Sequence, residues 1–266
     1  MEQFVKKDLV SLVSAQKGDF VLDMGCGEGD NTAKLCEAGY SVMGTDADKA
    51  AIEKAKAKYP NISFSHIDPK VFVTDGCADA IFSSGYAHKV KREDQETLLK
   101  RFEFMLADGG ELVMELPAEG YLGEVYGGLE KAFAEEGLKY ECPLYLPTLG
   151  EYTSLLEACG FDVEFAATVK REMEFSSADE IEAFVEEILN KELSGLDKET
   201  AERMLFSALV YCVPIFKYSL QGVYLRIKAR VRRPSMKRIN EAMYEVNPHF
   251  FHDLLAENMY DPNKGE

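Results

Sequence analysis

The sequence predicts an α/β fold built on a doubly wound, mostly parallel sheet. Three observations carry that expectation. Short apolar runs rich in β-branched residues alternate with amphipathic segments between positions 19 and 116, which is the rhythm of strands joined by helical crossovers. The first run breaks off into a turn with glycine at alternate positions, Gly25, Gly27 and Gly29. Acids stand at the ends of three successive strands, as Asp23, Asp46 and Asp68, along the carboxyl edge where open α/β sheets hold their ligands.

Residues 19–30 organise the chain. The apolar run is a buried strand, and the glycines after it adopt backbone angles closed to other residues and let a ligand approach the main chain. A helix over 32–38 then points unpaired N–H groups at that space. A dinucleotide-binding turn would need its third glycine at position 30, where Asp30 stands. The second strand, 40–46, ends in Asp46, 21 positions after Gly25. That is close to the ~20-residue interval at which an acid meets ribose hydroxyls, and one carboxylate can accept two hydrogen bonds from a vicinal diol. Asp46 or Asp48 equally suits the cap of a helix over 50–58. Residues 62–68 alternate as a third strand ending in Asp68. The fourth, 78–85, contains Ser83 and is followed by Tyr86, Ala87 and His88. A helix over 93–107, closed by Asp108-Gly109-Gly110, leads to a fifth strand at 111–116.

From 118 the rhythm changes. A helix is expected over 121–137, then a turn and helix at 146–160 leading to a sixth strand from Phe161. About fifty residues separate Phe165 from Tyr218, far beyond a hairpin loop. Ser177 with Glu180 forms a capping box, and Ile181, Phe184, Val185, Ile188 and Leu189 share one helical face. A second helix from Asp197 runs through Met204, Leu205, Ala208 and Leu209. We therefore expect a core of residues 1–175 and 214–234, with a helical cap at 176–213 between strands six and seven and over the active site. Residues 235–266 form a C-terminal extension. Residues 224–231 alternate as an antiparallel strand, with Leu225, Ile227, Ala229 and Val231 on one face and Arg226, Lys228, Arg230 and Arg232 on the other. Pairing of that basic face with acidic helices is expected rather than a nucleic-acid surface.

Composition narrows the function. The 266 residues carry 47 acids against 30 Lys and Arg, a net charge of −17, which opposes nucleic acid and anionic membranes. Six cysteines without a C-x-x-C pair fit reduced thiols in the cytoplasm, and no metal spacing is present. His249 and His252 could share a ligand on a helix but lack a third partner. The apolar run Leu9 to Val13 reads as an amphipathic helix leading into the first strand rather than a signal peptide. No run has the length of a membrane span.

The order Asp23-x-Gly25-x-Gly27-x-Gly29 resembles the first motif of class I S-adenosylmethionine-dependent methyltransferases. Residues 146–163, with their Pro-x-x-Gly-Glu-Tyr turn and Gly-Phe ending, resemble a tract of methyltransferases related to trans-aconitate methyltransferase. Together the likeness spans about residues 10–234. It implies a Rossmann-like methyltransferase fold of seven strands with S-adenosylmethionine as cofactor and a small-molecule acceptor, in a monomer or homodimer. The cofactor-binding residues would be Asp23, Gly25, Cys26, Gly27, Asp46, Ala47, Asp68 and Ser83. Of these, Asp23 would hold the methionine part and Asp68 the adenine amino group. His88 or Tyr86 would take a proton from an amine, phenol or carbon acid, whereas a carboxylate needs no base; His88 is equally readable as structural.

Lys89, Tyr145 and Tyr152 are the candidate acceptor contacts. Lys89 opens a cationic run, Lys89-Val90-Lys91-Arg92, where a helix start would disfavour positive charge. The run suits an anionic acceptor, or surface pairing of Lys91 and Arg92 with Glu93, Asp94 and Glu96. Relatives often have an aromatic where Lys89 stands, so trans-aconitate itself is not assumed. A methyltransferase of RNA or protein, or a non-catalytic binder of the cofactor, remains open at this level.

Overall fold

The computed structural model describes residues 7–74, 76–212 and 219–232; the expected extension at 235–266, with His249 and His252, lies outside them. Seven strands form one sheet in the order β3-β2-β1-β4-β5-β7-β6. They are β1 (Phe20–Met24), β2 (Ser41–Asp46), β3 (Ser63–His66), β4 (Ala78–Ser84), β5 (Leu106–Pro117), β6 (Phe161–Glu174) and β7 (Ser219–Val231). The first five pair in parallel, and β7 is antiparallel to both β5 and β6. The chain winds outward from β1 to β3, then returns to β4 on the other side of β1. This reversal opens a crevice at the carboxyl ends of β1 and β4, the position at which such sheets bind ligands.

The crossover helices are α1 (Asp30–Glu37), α2 (Lys49–Lys58) and α3 (Gln95–Met105), followed by α4 (Gly123–Glu135) and α5 (Leu149–Ala158). Val21, Leu22 and Met24 of β1 are wholly buried, as are Ile81 and Phe82 of β4, as expected for central parallel strands covered on both faces. The N-terminal apolar run makes a single 3₁₀ turn, Leu9–Leu12, rather than a longer helix. Its Leu9, Val10 and Leu12 pack on Val21, Phe82 and Val113.

Two boundaries differ from expectation. Asp108-Gly109-Gly110 does not close a helix; β5 begins earlier, at Leu106, and its register with β4 shifts between Ala78 and Ala80. A Cβ at Gly110 would meet the Ala107 carbonyl oxygen at 2.9 Å, so the irregular stretch needs glycine to continue the strand. The outer hairpin is also longer, pairing from Phe161↔Val231 to Glu174↔Ser219. Beyond Pro117↔Tyr224, the last β5–β7 pair, β7 is paired with β6 alone.

The expected basic face of β7 is present, but its acids come from neighbouring strands rather than helices. Arg226 lies opposite Glu115 and pairs with it at 2.7 Å, and Arg171 holds the same carboxylate through two hydrogen bonds. Lys228 and Arg230 reach Glu111, while Arg232 reaches Asp162. In-register cross-strand neighbours sit only about 5 Å apart, so same-face acids meet these cations before any helix can.

Between β6 and β7 stand α6 (Ala178–Leu193) and α7 (Lys198–Cys212). Ser177 caps α6 by accepting from the Glu180 amide, and the Glu180 carboxylate accepts from Ser176 N. Ile181, Val185 and Leu189 of α6, Met204 and Ala208 of α7, and Val125 and Leu129 of α4 form an apolar cluster separate from the sheet's core. The amphipathic stripes of the insertion are thus used in packing.

Candidate active site

β1 ends at Met24, and the chain then folds over the end of β2, where Gly25 N and Cys26 N both donate to the Thr45 carbonyl, at 2.8 and 3.0 Å. The three glycines have φ of +84°, +55° and +87°, the left-handed region that glycine enters at little cost. They face different neighbours. A Cβ at Gly25 would run into Tyr86, and one at Gly29 would lie 2.7 Å from the Phe64 ring. At Gly27 it would meet nothing within 4 Å. Gly27 therefore fronts the crevice itself, and Gly29 starts α1.

Three acids surround the turn. Asp23 is 1% exposed and accepts one hydrogen bond, from Thr32 Oγ1 at 2.6 Å. Burial, with the nearby Asp46 charge adding to it, pushes its carboxyl up to about 7. Asp46 accepts from Gly27 N at 2.9 Å and from Asp48 N at 2.8 Å. Asp48, not Asp46, caps α2 by accepting from Ala50 N and Ala51 N. Asp68 accepts from the Tyr86 hydroxyl at 2.8 Å and from Lys70 N at 2.9 Å. Asp46, Ala47, Asp68, Tyr86, Lys89 and Val90 line one cavity of about 500 Å³. The chain thus brings the second- and third-strand acids to one space with Tyr86 and Lys89.

Other candidates are placed differently. Ser83 is buried, and its hydroxyl donates to the Met24 carbonyl at 2.9 Å, so its side chain ties β4 to β1 beneath the turn. Cys26 is half-buried beside Phe64 and Tyr59, and burial raises its thiol well above the usual range. Tyr86 is poorly suited as a base, because burial raises its hydroxyl pKa and the hydroxyl donates to the Asp68 carboxylate. Tyr152 is 0% exposed and donates to Gln95 Oε1 at 3.2 Å, which makes it a core residue under the site rather than an acceptor contact. Tyr145 is half-buried, and its amide donates to the His88 carbonyl at 2.9 Å.

His88 sits in the 3₁₀ turn Ala87–Lys89, just past β4. It is 9% exposed, and its Nδ1 has no hydrogen-bond partner among the described residues. Burial, then the charges of Lys89 and Lys191, lower its pKa to about 4, so the imidazole is neutral at physiological pH. The turn is braced by Gln95, a residue the sequence reading passed over. Its Nε2 donates to the Ala87 and Val90 carbonyls, at 2.7 Å each, and the residue is wholly buried. The available signal was a polar side chain at the first position of α3, beside the turn. Arg92 pairs with Glu151 at 2.9 Å rather than with Glu93, Asp94 or Glu96; Asp94 and Glu96 pair instead with Lys70 and Lys100. Among the described residues, no three His, Cys, Asp or Glu side chains are grouped to hold a metal ion. No described helix is long and apolar enough to cross a membrane.

The donor set fits S-adenosylmethionine. Gly27 leaves open space beside the main chain, Asp23 offers a buried carboxylate with no cation beside it among the described residues, and Asp46 and Asp68 line the adjoining cavity. Comparison with known proteins agrees. Residues 21–110 match a family model described as a methyltransferase domain. An uncharacterised methyltransferase of Schizosaccharomyces pombe is 26% identical over 178 residues, covering 62% of this chain and 67% of its own. A trans-aconitate 2-methyltransferase of Methylobacterium radiotolerans is 29% identical over 132 residues, 49% of either chain. The chain therefore spans about half the length of that relative. In fold, the crystal structure of a methyltransferase from Bacillus halodurans superposes with a TM-score of 0.57 at 16% identity, covering 85% of this chain and 97% of its own. Sheet order, glycine turn and family match define a class I S-adenosylmethionine-dependent methyltransferase. Within that class, the chain is similar to trans-aconitate 2-methyltransferases, at 28–31% identity over 42–61% of its length.

Proposed function

We propose that this enzyme methylates a small organic acid on a carboxylate oxygen. What supports this reading is that, among the described residues, neither His88 nor Tyr86 is suited to take a proton, while a cation, Lys89, faces the same cavity. His88 is held neutral with low proton affinity, Tyr86 is kept protonated by Asp68, and Lys89 is exposed on the same cavity. An amine, phenol or carbon acid would have to lose a proton during the reaction, whereas a carboxylate reaches the site already ionised.

S-adenosylmethionine, when bound, supplies an activated methyl group on a sulfonium. On this reading Asp23 accepts from the methionine portion, Asp46 from the ribose hydroxyls and Asp68 from the adenine amino group. Each carboxylate lies at a strand end or just beyond, so the sheet fixes their separation. Lys89 holds the acceptor's negative charge, which the overall charge of −17 would otherwise repel. The acceptor's oxygen lone pair forms the new O–C bond as the C–S bond breaks, sulfur keeps the electron pair, and no proton moves. The protein's work is to align and to exclude water. On this reading the helical insertion is a cap, supported by the Tyr140 hydroxyl, which donates to Glu192 at 3.0 Å and ties the end of α6 to the segment leading to Tyr145. The free thiols at Cys26, Cys36, Cys77, Cys142 and Cys159 support a cytoplasmic location.

The test is a screen of organic acids for S-adenosylhomocysteine formation, with the product then exposed to mild alkali. A methyl ester is hydrolysed and returns the acid. An alkali-stable methyl product, or turnover confined to amines or to RNA, overturns the reading.

A further inference from the structure

Two donors close on a single oxygen of Asp68. The Tyr86 hydroxyl donates to Oδ1 at 2.8 Å, and the Lys70 amide donates to the same atom at 2.9 Å. Among the described residues, no donor stands on the other oxygen, Oδ2. Asp68 lies two residues past the end of β3, beyond the last ladder pair at His66. An aspartate carboxylate in such a place turns easily about its last torsion, so the two donors decide how it faces.

The stronger anchor of the two is Tyr86. Its residue is 7% exposed and belongs to the sheet's core with Leu22, Met24 and Leu116. Packing accounts for the ring but not for the hydroxyl, which leaves that core for an acid on the wall of the cavity of about 500 Å³ that both residues line. A rigid side chain from the turn after β4 thus locks an acid carried by a loop. The locked carboxylate accepts and cannot donate.

We propose that Tyr86 is a positioning residue of the cofactor site: by holding Oδ1 of Asp68 it turns Oδ2 to the exocyclic amino group of the cofactor's adenine and so sets the preference for that base. The inference rests on the assignment of Asp68 to the adenine amino group and deepens it by naming the residue that makes this acid selective. Tyr86 acts through Asp68 and touches no reacting atom. A base with hydrogen in place of the amino group leaves Oδ2 unpaired, and a site built for a donor rejects a ligand that lacks it. Without the hydroxyl, the Lys70 amide alone holds the carboxylate, and the rejection weakens.

The test is calorimetric titration of the full chain with S-adenosylhomocysteine and with its 6-deamino analogue, in which hydrogen replaces the adenine amino group. The parent should prefer S-adenosylhomocysteine by about tenfold or more. Tyr86→Phe keeps the ring on Gly25 and should cut that preference to about threefold or less, by weakening S-adenosylhomocysteine alone. Asp68→Ala should abolish the preference. In Asp68→Asn the two donors claim the amide oxygen, which leaves the amide nitrogen facing the adenine amino group, donor against donor. This variant should therefore bind S-adenosylhomocysteine more weakly than Asp68→Ala does.

A parent without preference, or a preference that survives Asp68→Ala, removes Asp68 from the adenine and overturns that assignment together with the proposal. A preference lost in Asp68→Ala but kept in Tyr86→Phe overturns the proposal alone. So does an equal weakening of both ligands by Tyr86→Phe, the mark of a merely structural tyrosine. Should Tyr86→Phe fail to fold, the two Asp68 variants decide with Tyr86 intact: Asp68→Asn binding S-adenosylhomocysteine as well as Asp68→Ala or better means that the side chain at 68 is free to turn, and overturns the proposal.

Discussion

Tyr86 lies directly on Gly25. Its ring Cγ is 2.7 Å from where a Cβ at Gly25 would stand, and its hydroxyl reaches over to Asp68. The first glycine of the turn is therefore required by the protein's own tyrosine, whereas Gly27 faces open space.

That contrast separates two substitutions. Gly25→Ala adds backbone strain of about 1–3 kcal/mol and a collision with Tyr86, so its midpoint of thermal unfolding should fall; pairing it with Tyr86→Ala should recover part of the loss. Gly27→Ala, strained at φ +55° as well but clear of any neighbour, should fold with a smaller penalty and yet lose affinity for S-adenosylmethionine, because its side chain enters the ligand's space. Calorimetry and thermal melts on the same samples check both. Equal behaviour of the two variants would contradict the assignment.

Asp46 is expected to meet the ribose hydroxyls. Asp46→Ala should weaken S-adenosylmethionine binding by about 1–3 kcal/mol through unpaired hydroxyls, with a further loss from the Gly27 amide it now holds. Affinity unchanged from the parent would remove Asp46 from the cofactor site.

Asp23 links stability to pH. Its carboxyl is raised from 3.8 to about 7 in the folded state, so the folded protein holds this proton more tightly than the unfolded chain does. Relative to an ordinary acid, Asp23 costs nothing below about pH 4. The cost grows as pH rises through the window up to about 7 and is complete above it. Asp23→Asn keeps an acceptor for Thr32 and removes the buried charge, so it should raise stability at pH 8, by about 4 kcal/mol, with little effect at pH 4. It should also lose cofactor affinity. Chemical denaturation at the two pH values, beside a binding titration, is the measurement.

Glu115 holds Arg226 of β7, which is 3% exposed, and Arg171 of β6. Glu115→Ala removes a carboxylate that the buried Arg226 guanidinium holds at 2.7 Å, and loss of about 3–5 kcal/mol is expected. The effect should appear as a fall in denaturation midpoint. A loss under about 1 kcal/mol, the size of an exposed pair, would show that solvent reaches Arg226.

The cap reading predicts slower amide exchange in α6, near Lys191 and Glu192, when a carboxylate acceptor and S-adenosylhomocysteine are both present. Slowing confined to the glycine turn would leave the insertion as a packing element alone.

What the sequence determines by itself is the part of this protein written in local pattern. Strand alternation, the glycine turn and the acid after each early strand depend on neighbours within a few positions, and they led to the sheet, the class and Asp23, Asp46 and Asp68 without any tertiary information. The capping box at Ser177 and the stripe through Ile181, Val185 and Leu189 were legible for the same reason. Tertiary structure decided whatever depends on which distant groups meet. A fully buried Tyr152 bonded to Gln95 and a Tyr86 committed to Asp68 have the same local appearance as exposed site tyrosines, because burial is a property of the packed whole. The acids opposite Arg226 and Arg230 came from strands over a hundred residues away, through a register that no local window contains. His88 shows the division most sharply: its position after β4 was readable, but its low proton affinity follows first from burial, with the charge of Lys89 adding to it, and burial is a property of the packed whole.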